Sequence, residues 1–198
     1  MHRDPAESPL TPESWGKLGM WVFLAGDAMS FGGLIAAYGA LRFGSPNWPV
    51  PAEVLGVPLT AVMTFLLICS SVTMVKALAA IKEGNRPGLI KFLSLTILGG
   101  VIFLGLQAYE WTHLIHSKHM TLTHLGDARS LFGTTFYVLT GFHGCHVLGG
   151  VIYLSCILVQ GWRGRYSAAS WNPVEIVGLY WHFVDLVWIL IFTFVYLI

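Results

Sequence analysis

The chain has 198 residues, of which 55% are hydrophobic and 11% charged, and its formal net charge is only +1. Apolar runs far longer than a soluble core needs mark a membrane protein, and the near-neutral balance offers nothing to a nucleic acid. Cys69, Cys145 and Cys156 all lie inside apolar runs with no CxxC pair among them. That pattern points away from a disulfide frame or a cysteine metal site and toward small packing residues.

Residues 1 to 14 carry three acids, Asp4, Glu7 and Glu13, and three prolines, and read as a cytoplasmic tail. The apolar run that follows is too long for a signal-peptide core and lacks an A-x-A cleavage site, so it is expected to stay as the first span. A helix needs about 20 apolar residues to cross about 30 Å of hydrocarbon. By that measure five segments qualify, at about 16 to 42, 58 to 82, 89 to 115, 131 to 161 and 174 to 197. The stretches "SPNWPVP" and "EGNRPG" hold the prolines and glycines that end helices, while "SKHMTLTHLGDA" and "GRYSAASWNP" read as polar loops. No internal repeat is evident. The prediction is an all-α polytopic membrane protein, with residues 15 to 198 forming one domain, a bundle of five transmembrane helices.

Counting Lys and Arg by side sets the orientation. Arg3, Lys17, Lys76, Lys82, Arg86, Lys91, Arg163 and Arg165 fall on the side of the N-terminus, leaving Arg42, Lys118 and Arg129 opposite. The positive-inside rule then places the N-terminus in the cytoplasm and Ile198 outside. Trp15, Trp48, Trp111, Trp162 and Trp171 sit at span ends, where an interfacial aromatic belt is expected.

Polar residues inside the spans carry the remaining information. A charged group near the membrane centre costs about 2.5 to 3.5 kcal/mol on insertion scales, so each needs compensation. By position, Asp27, His143, His146, His182 and Asp185 share a central depth and form a candidate buried polar cluster. Gln107 and Glu110 form a pair nearer the outer side. His143 with His146, His182 with Asp185 and Gln107 with Glu110 are each three apart, so each pair shares a helix face. Gly141, Cys145 and Gly149 make a small-residue stripe suited to close helix contact, with His143, His146 and Gly150 on the opposite face. Asp27 shares its face with Met20, Phe23, Phe31 and Leu34, an apolar setting that favours the neutral acid unless a donor is close.

Several chemistries compete for these groups. Two histidines one turn apart on one helix cannot be the opposite axial ligands of one haem, which leaves only a cross-helix pair of His182 with His143 or His146 for a haem-binding membrane anchor. A di-iron carboxylate site wants Glu-x-x-His pairs at one depth, whereas the order here is His-x-x-Asp and Glu110 lies elsewhere. No Ser or Cys stands beside a histidine in a context that would activate it as a nucleophile. The polar groups can instead satisfy one another across helices at about 0.6 to 2 kcal/mol each. Proton handling and a lipid site stay open beside that reading. His113, His116, His119 and His124 form an outer-loop group, either a loose metal site or a solvated loop.

The stretches "WGKLGMWVFLAGDAMSFGGLIAAYGALR", "LGLQAYEW", "LFGTTFYVLTGFHGCHVLGGVIYL" and "YWHFVDLVWILIFTFVYL" resemble, in order and spacing, the successive signatures of subunit III of haem-copper terminal oxidases. The resemblance covers residues 14 to 198 and is to the five-span form, which lacks the first two helices of the seven-span form. It implies a non-catalytic subunit of a bacterial plasma-membrane cytochrome c oxidase. Such a subunit has no metal or cofactor of its own and no catalytic residue; haem and copper lie in the partner subunits. It implies direct packing on oxidase subunit I, a complex shared with subunit II and small subunits, bound phospholipid, and support of proton uptake and stability. A lipid cleft is implied around Trp21, Asp27, Glu110 and His182. The family acid at the place of Asp27 is usually a carbodiimide-reactive glutamate; Asp27 is one methylene shorter. A quinol oxidase and a nitric oxide reductase-associated subunit are the alternatives within this resemblance.

Overall fold

The structure is a computed structural model that describes residues 15–125 and 128–198, with the side chains of Ala128 and Arg129 left aside. The tail expected over residues 1 to 14 lies outside the described residues. Five helices are long and apolar enough to cross a membrane: α1 (Trp15–Gly44), α3 (Val57–Lys82), α4 (Arg86–Lys118), α5 (Leu131–Trp162) and a last span, Asn172–Leu197. The last span begins as α6 (Asn172–Ile191) and ends as a π-helical segment, Phe192–Leu197.

Helix ends follow local chemistry. The turn after α3 is shorter than "EGNRPG" implies, because Asn85 accepts a hydrogen bond from the Gly88 amide at 2.9 Å and Pro87 fits the first turn of α4. Gly84 supplies the positive φ of 75° that this turn requires. Ser130 caps α5 by accepting from the Phe132 amide at 3.2 Å. The "SPNWPVP" stretch runs into a one-turn helix, α2 (Pro51–Val54), and the loop before α5 holds a two-residue antiparallel ladder, β1 (His124–Leu125) with β2 (Ala128–Arg129).

Contacts at the two ends establish the up-and-down order. At one end, Lys17 pairs with Glu175 and, with Lys82, lies over the Trp171 ring, at 5.2 and 4.0 Å from its centroid. At that end the Arg86 Nε also donates to the Gly161 carbonyl at 2.9 Å. At the other end, Arg42 donates to the Ile198 carbonyl and Lys118 to the Glu53 carbonyl. The basic residues Lys17, Lys82 and Arg86 therefore share one end of the bundle.

Close packing is set by glycines facing bulky side chains. A Cβ at Gly99 would stand 2.9 Å from Ser70 Cβ, and one at Gly100 would stand 2.6 Å from the Trp181 ring. These positions let α4 approach both α3 and α6. Met63, Leu93, Phe103, Val147, Trp181 and Trp188 fill the centre, each no more than 1% exposed. Helix α1 lies outside this body and buries Leu24, Phe31 and Tyr38, which are spaced by seven along one face.

Candidate functional site

The five residues expected to share a central cluster separate into two contacts and one isolated ring. Asp27 on α1 faces His146 on α5, with Oδ2 at 3.4 Å from Nε2. His146 Nδ1 lies 2.8 Å from the Phe142 carbonyl, which can only accept, so Nδ1 carries a proton. The Phe31 and Phe142 rings flank the imidazole at 5.0 and 4.6 Å. With Nδ1–H held by Phe142, the nitrogen that faces Asp27 is Nε2, and Asp27 Oδ2 has no hydrogen-bond partner at that distance.

The second contact joins α6 to α3. Ser71 Oγ donates to Asp185 Oδ2 at 2.7 Å and lies 3.2 Å from His182 Nδ1. With its proton given to the carboxylate, the Ser71 oxygen accepts Nδ1–H, and the His182 tautomer follows. The chain of bonds thus runs from His182 through Ser71 to Asp185.

His143, although one turn from His146, makes neither contact. It is 0% exposed, its two ring nitrogens have no hydrogen-bond partner, and it stacks on Trp188 at 4.9 Å with Phe103 edge-on at 5.7 Å. An imidazole held this way packs as an aromatic ring.

Gln107 and Glu110 share a face of α4 but serve different neighbours. Gln107 Nε2 donates to the Thr140 carbonyl at 2.8 Å. Glu110, 3% exposed, accepts from Thr60 Oγ1 and from Tyr196 Oη, each at 3.0 Å. The π-helical winding at the end of the last span, with Ile198 N bonded to Thr193 O at 3.2 Å, carries Tyr196 inward to this carboxyl. Thr60, Ser71 and Tyr196 were invisible to sequence reasoning as site residues. Hydroxyls in apolar helices ordinarily bond the carbonyl one turn back, as Thr64 and Thr140 do here, so they give no signal of a longer-range role.

Of the residues expected to line a lipid cleft, Trp21 and His182 meet in a cavity of about 400 Å³ between α1 and α6, together with Ala25, Ala28, Phe183 and Leu186. Glu110 stands apart from it, in its bonds to Thr60 and Tyr196, and Asp27 turns toward α5. In the small-residue stripe, a Cβ at Gly141 would meet the Trp111 ring at 3.1 Å and one at Gly149 would meet Tyr180 Oη at 3.5 Å, while Cys145 is exposed. Closer approaches occur at Gly144, 2.9 Å from Gln107, and at Gly150, 2.9 Å from Trp181. Among the described residues, no three His, Cys, Asp or Glu side chains converge as metal ligands, the outer-loop histidines included.

Five membrane-spanning helices joined by hydrogen-bonded buried polar side chains define a polytopic helical membrane protein. Its sequence is similar to cytochrome c oxidase subunit 3 of Bacillus subtilis, at 37% identity over 91% of this chain and 84% of the relative. It is also 34% identical to the corresponding protein of Alkalihalophilus pseudofirmus, over 91% of this chain and 85% of that one. A probable quinol oxidase subunit 3 of Staphylococcus saprophyticus is 35% identical over 92% of this chain and 88% of its own length. The profile of the family described as cytochrome c oxidase subunit III matches residues 14–198. The chain belongs to that family, as a multi-pass membrane subunit of a haem-copper oxidase complex.

Proposed function

We propose that the chain is the non-catalytic subunit III of a proton-pumping cytochrome c oxidase in a bacterial plasma membrane, packed on subunit I, with its N-terminus in the cytoplasm. Haem and copper belong to the partner subunits. The chain holds membrane lipid and supports proton uptake and the lasting integrity of subunit I.

The observation that carries this reading is the family match along essentially all of the described chain, five spans included. Burial supports it as well. Along the most apolar stretch of α1 only 11% of residues are buried within the chain, leaving a long helix face for a partner. The Asp27–His146 contact sets a carboxyl beside an imidazole within the helix bundle, the residue types that carry protons inside membranes, which suits a supporting role in proton uptake.

The test is to purify the tagged chain from native membranes in mild detergent and identify what accompanies it by mass spectrometry. A haem-copper subunit I in equal amount is expected. Its absence, with the chain folded and embedded, would overturn the reading in favour of a free-standing membrane scaffold. A quinol oxidase is the second reading, favoured by the Staphylococcus relative, whose identity to this chain matches that of the cytochrome c oxidase relatives. Oxygen consumption by the purified complex with reduced cytochrome c against a quinol separates the two.

A further inference from the structure

The cavity between α1 and α6 is apolar except for His182. Nδ1 of that imidazole is committed to Ser71, whose own proton is committed to Asp185, so the ring is fixed as the Nδ1–H tautomer. Nε2 is then a lone-pair acceptor, and it is the ring nitrogen left for the cavity. An acceptor facing hydrocarbon without a donor carries a desolvation cost that a ligand hydroxyl removes.

Depth limits what that ligand is. His182 lies eleven residues beyond Trp171, which sits at the end of the bundle with Lys17 and Lys82. At 1.5 Å per residue that is about 16 Å, near the middle of a hydrocarbon layer about 30 Å thick. A phospholipid headgroup does not reach this depth, and its acyl chains carry no donor. The ligand is a membrane-soluble molecule that brings a hydroxyl to the midplane. Trp21 and Phe183 give the cavity aromatic walls, and Ala25 and Ala28 leave a slot beside them, so the body that fits is flat.

We propose that the cavity binds the ring of an isoprenoid hydroquinone, with one ring hydroxyl donating to His182 Nε2 and the tail leaving along the exposed Trp21 and Leu186 into the bilayer. This deepens the lipid-holding role proposed above and rests on it. The step is binding alone; no electron transfer through this chain is involved. The oxidised quinone has carbonyls in place of hydroxyls and offers no donor, so only the reduced form satisfies the site.

The test uses the intact oxidase complex, purified in mild detergent and extracted for mass spectrometry of quinones and phospholipids. Complexes carrying the wild-type chain, His182→Leu and Ala28→Phe are compared. Ala28→Phe fills the slot while leaving the His182–Ser71–Asp185 bonds untouched, which separates loss of the ligand from misfolding. Isoprenoid quinone is expected to co-purify with the wild-type complex under reducing buffer, and to fall about tenfold in both variants and in oxidising buffer, as for loss of one hydrogen bond or of the slot. Phospholipid content is expected to stay constant. Phospholipid present with quinone absent, or quinone unchanged in both variants, overturns the hydroquinone assignment and leaves lipid holding intact. Loss of neither lipid type being seen because neither is bound overturns both.

Discussion

Helices α1 and α6 pass through the same membrane and are attached in opposite ways. In α6 and its π-helical end, half of the most apolar stretch is buried, and Trp181 and Trp188 donate to Ser70 and Thr64, each at 3.0 Å. Helix α1 holds on through three buried apolar residues seven apart, the Asp27–His146 contact midway along it, Lys17 with Glu175 at one end and Arg42 with the Ile198 carbonyl at the other. In hydrocarbon there is no hydrophobic force between helices, so packing and polar contacts decide which helix belongs to the body. Helix α6 has both in quantity, whereas α1 depends on a few points and keeps most of its surface for something else.

The largest expected effect lies in the body. Glu110→Leu leaves the buried Tyr196 hydroxyl without its acceptor and Thr60 with only the Gly56 carbonyl. A loss of about 3 kcal/mol is expected, read as a lower thermal midpoint of the detergent-solubilised chain. An unchanged midpoint would show that the end of the last span is not locked by this carboxyl.

Glycine substitutions sharpen the contrast between the helices. Gly150→Ala puts a methyl 2.9 Å from the Trp181 ring, inside the packed body, and is expected to cost about 1 to 3 kcal/mol. Gly26→Ala on α1 meets nothing within 4 Å and is expected to change stability by less than about 0.5 kcal/mol. If Gly26→Ala weakens co-purification of subunit I while leaving the isolated chain intact, the open face of α1 is where the partner sits.

A smaller effect is expected at Asp27. Asparagine keeps the shape and can donate through its amide to His146 Nε2, so Asp27→Asn is expected to leave assembly nearly intact, within about 1 kcal/mol. Asp27→Leu removes the polar tie midway along α1 and is expected to loosen α1, read by increased proteolysis of the turn after it. Loss of assembly in Asp27→Asn would mean that the charge itself is needed. The smallest effect is expected for Lys17→Ala, which removes a partly exposed ion pair and costs no more than about 1 kcal/mol.

The spans were legible because about 20 apolar residues in a row have few alternatives to crossing a bilayer. Their expected bounds differ from the observed helices by at most three residues at any end. Partner choice was not legible, because it depends on how each helix is rotated and crossed against its neighbours. His143 and His146 share a face by spacing, yet one stacks on Trp188 and the other meets Asp27. His182 and Asp185, also three apart, are joined through a serine on another helix rather than to each other. The π-helical ending was hidden for the same reason, since Tyr196 reads as one more aromatic in "FTFVYL" until Glu110 is placed opposite it.

An absorption spectrum of the chain separated from its complex decides whether this subunit supports an oxidase without a redox centre of its own. No haem Soret band is expected in the separated chain, and a strong one in the fraction that holds subunit I. A Soret band that stays with this chain and disappears in His182→Ala would contradict it.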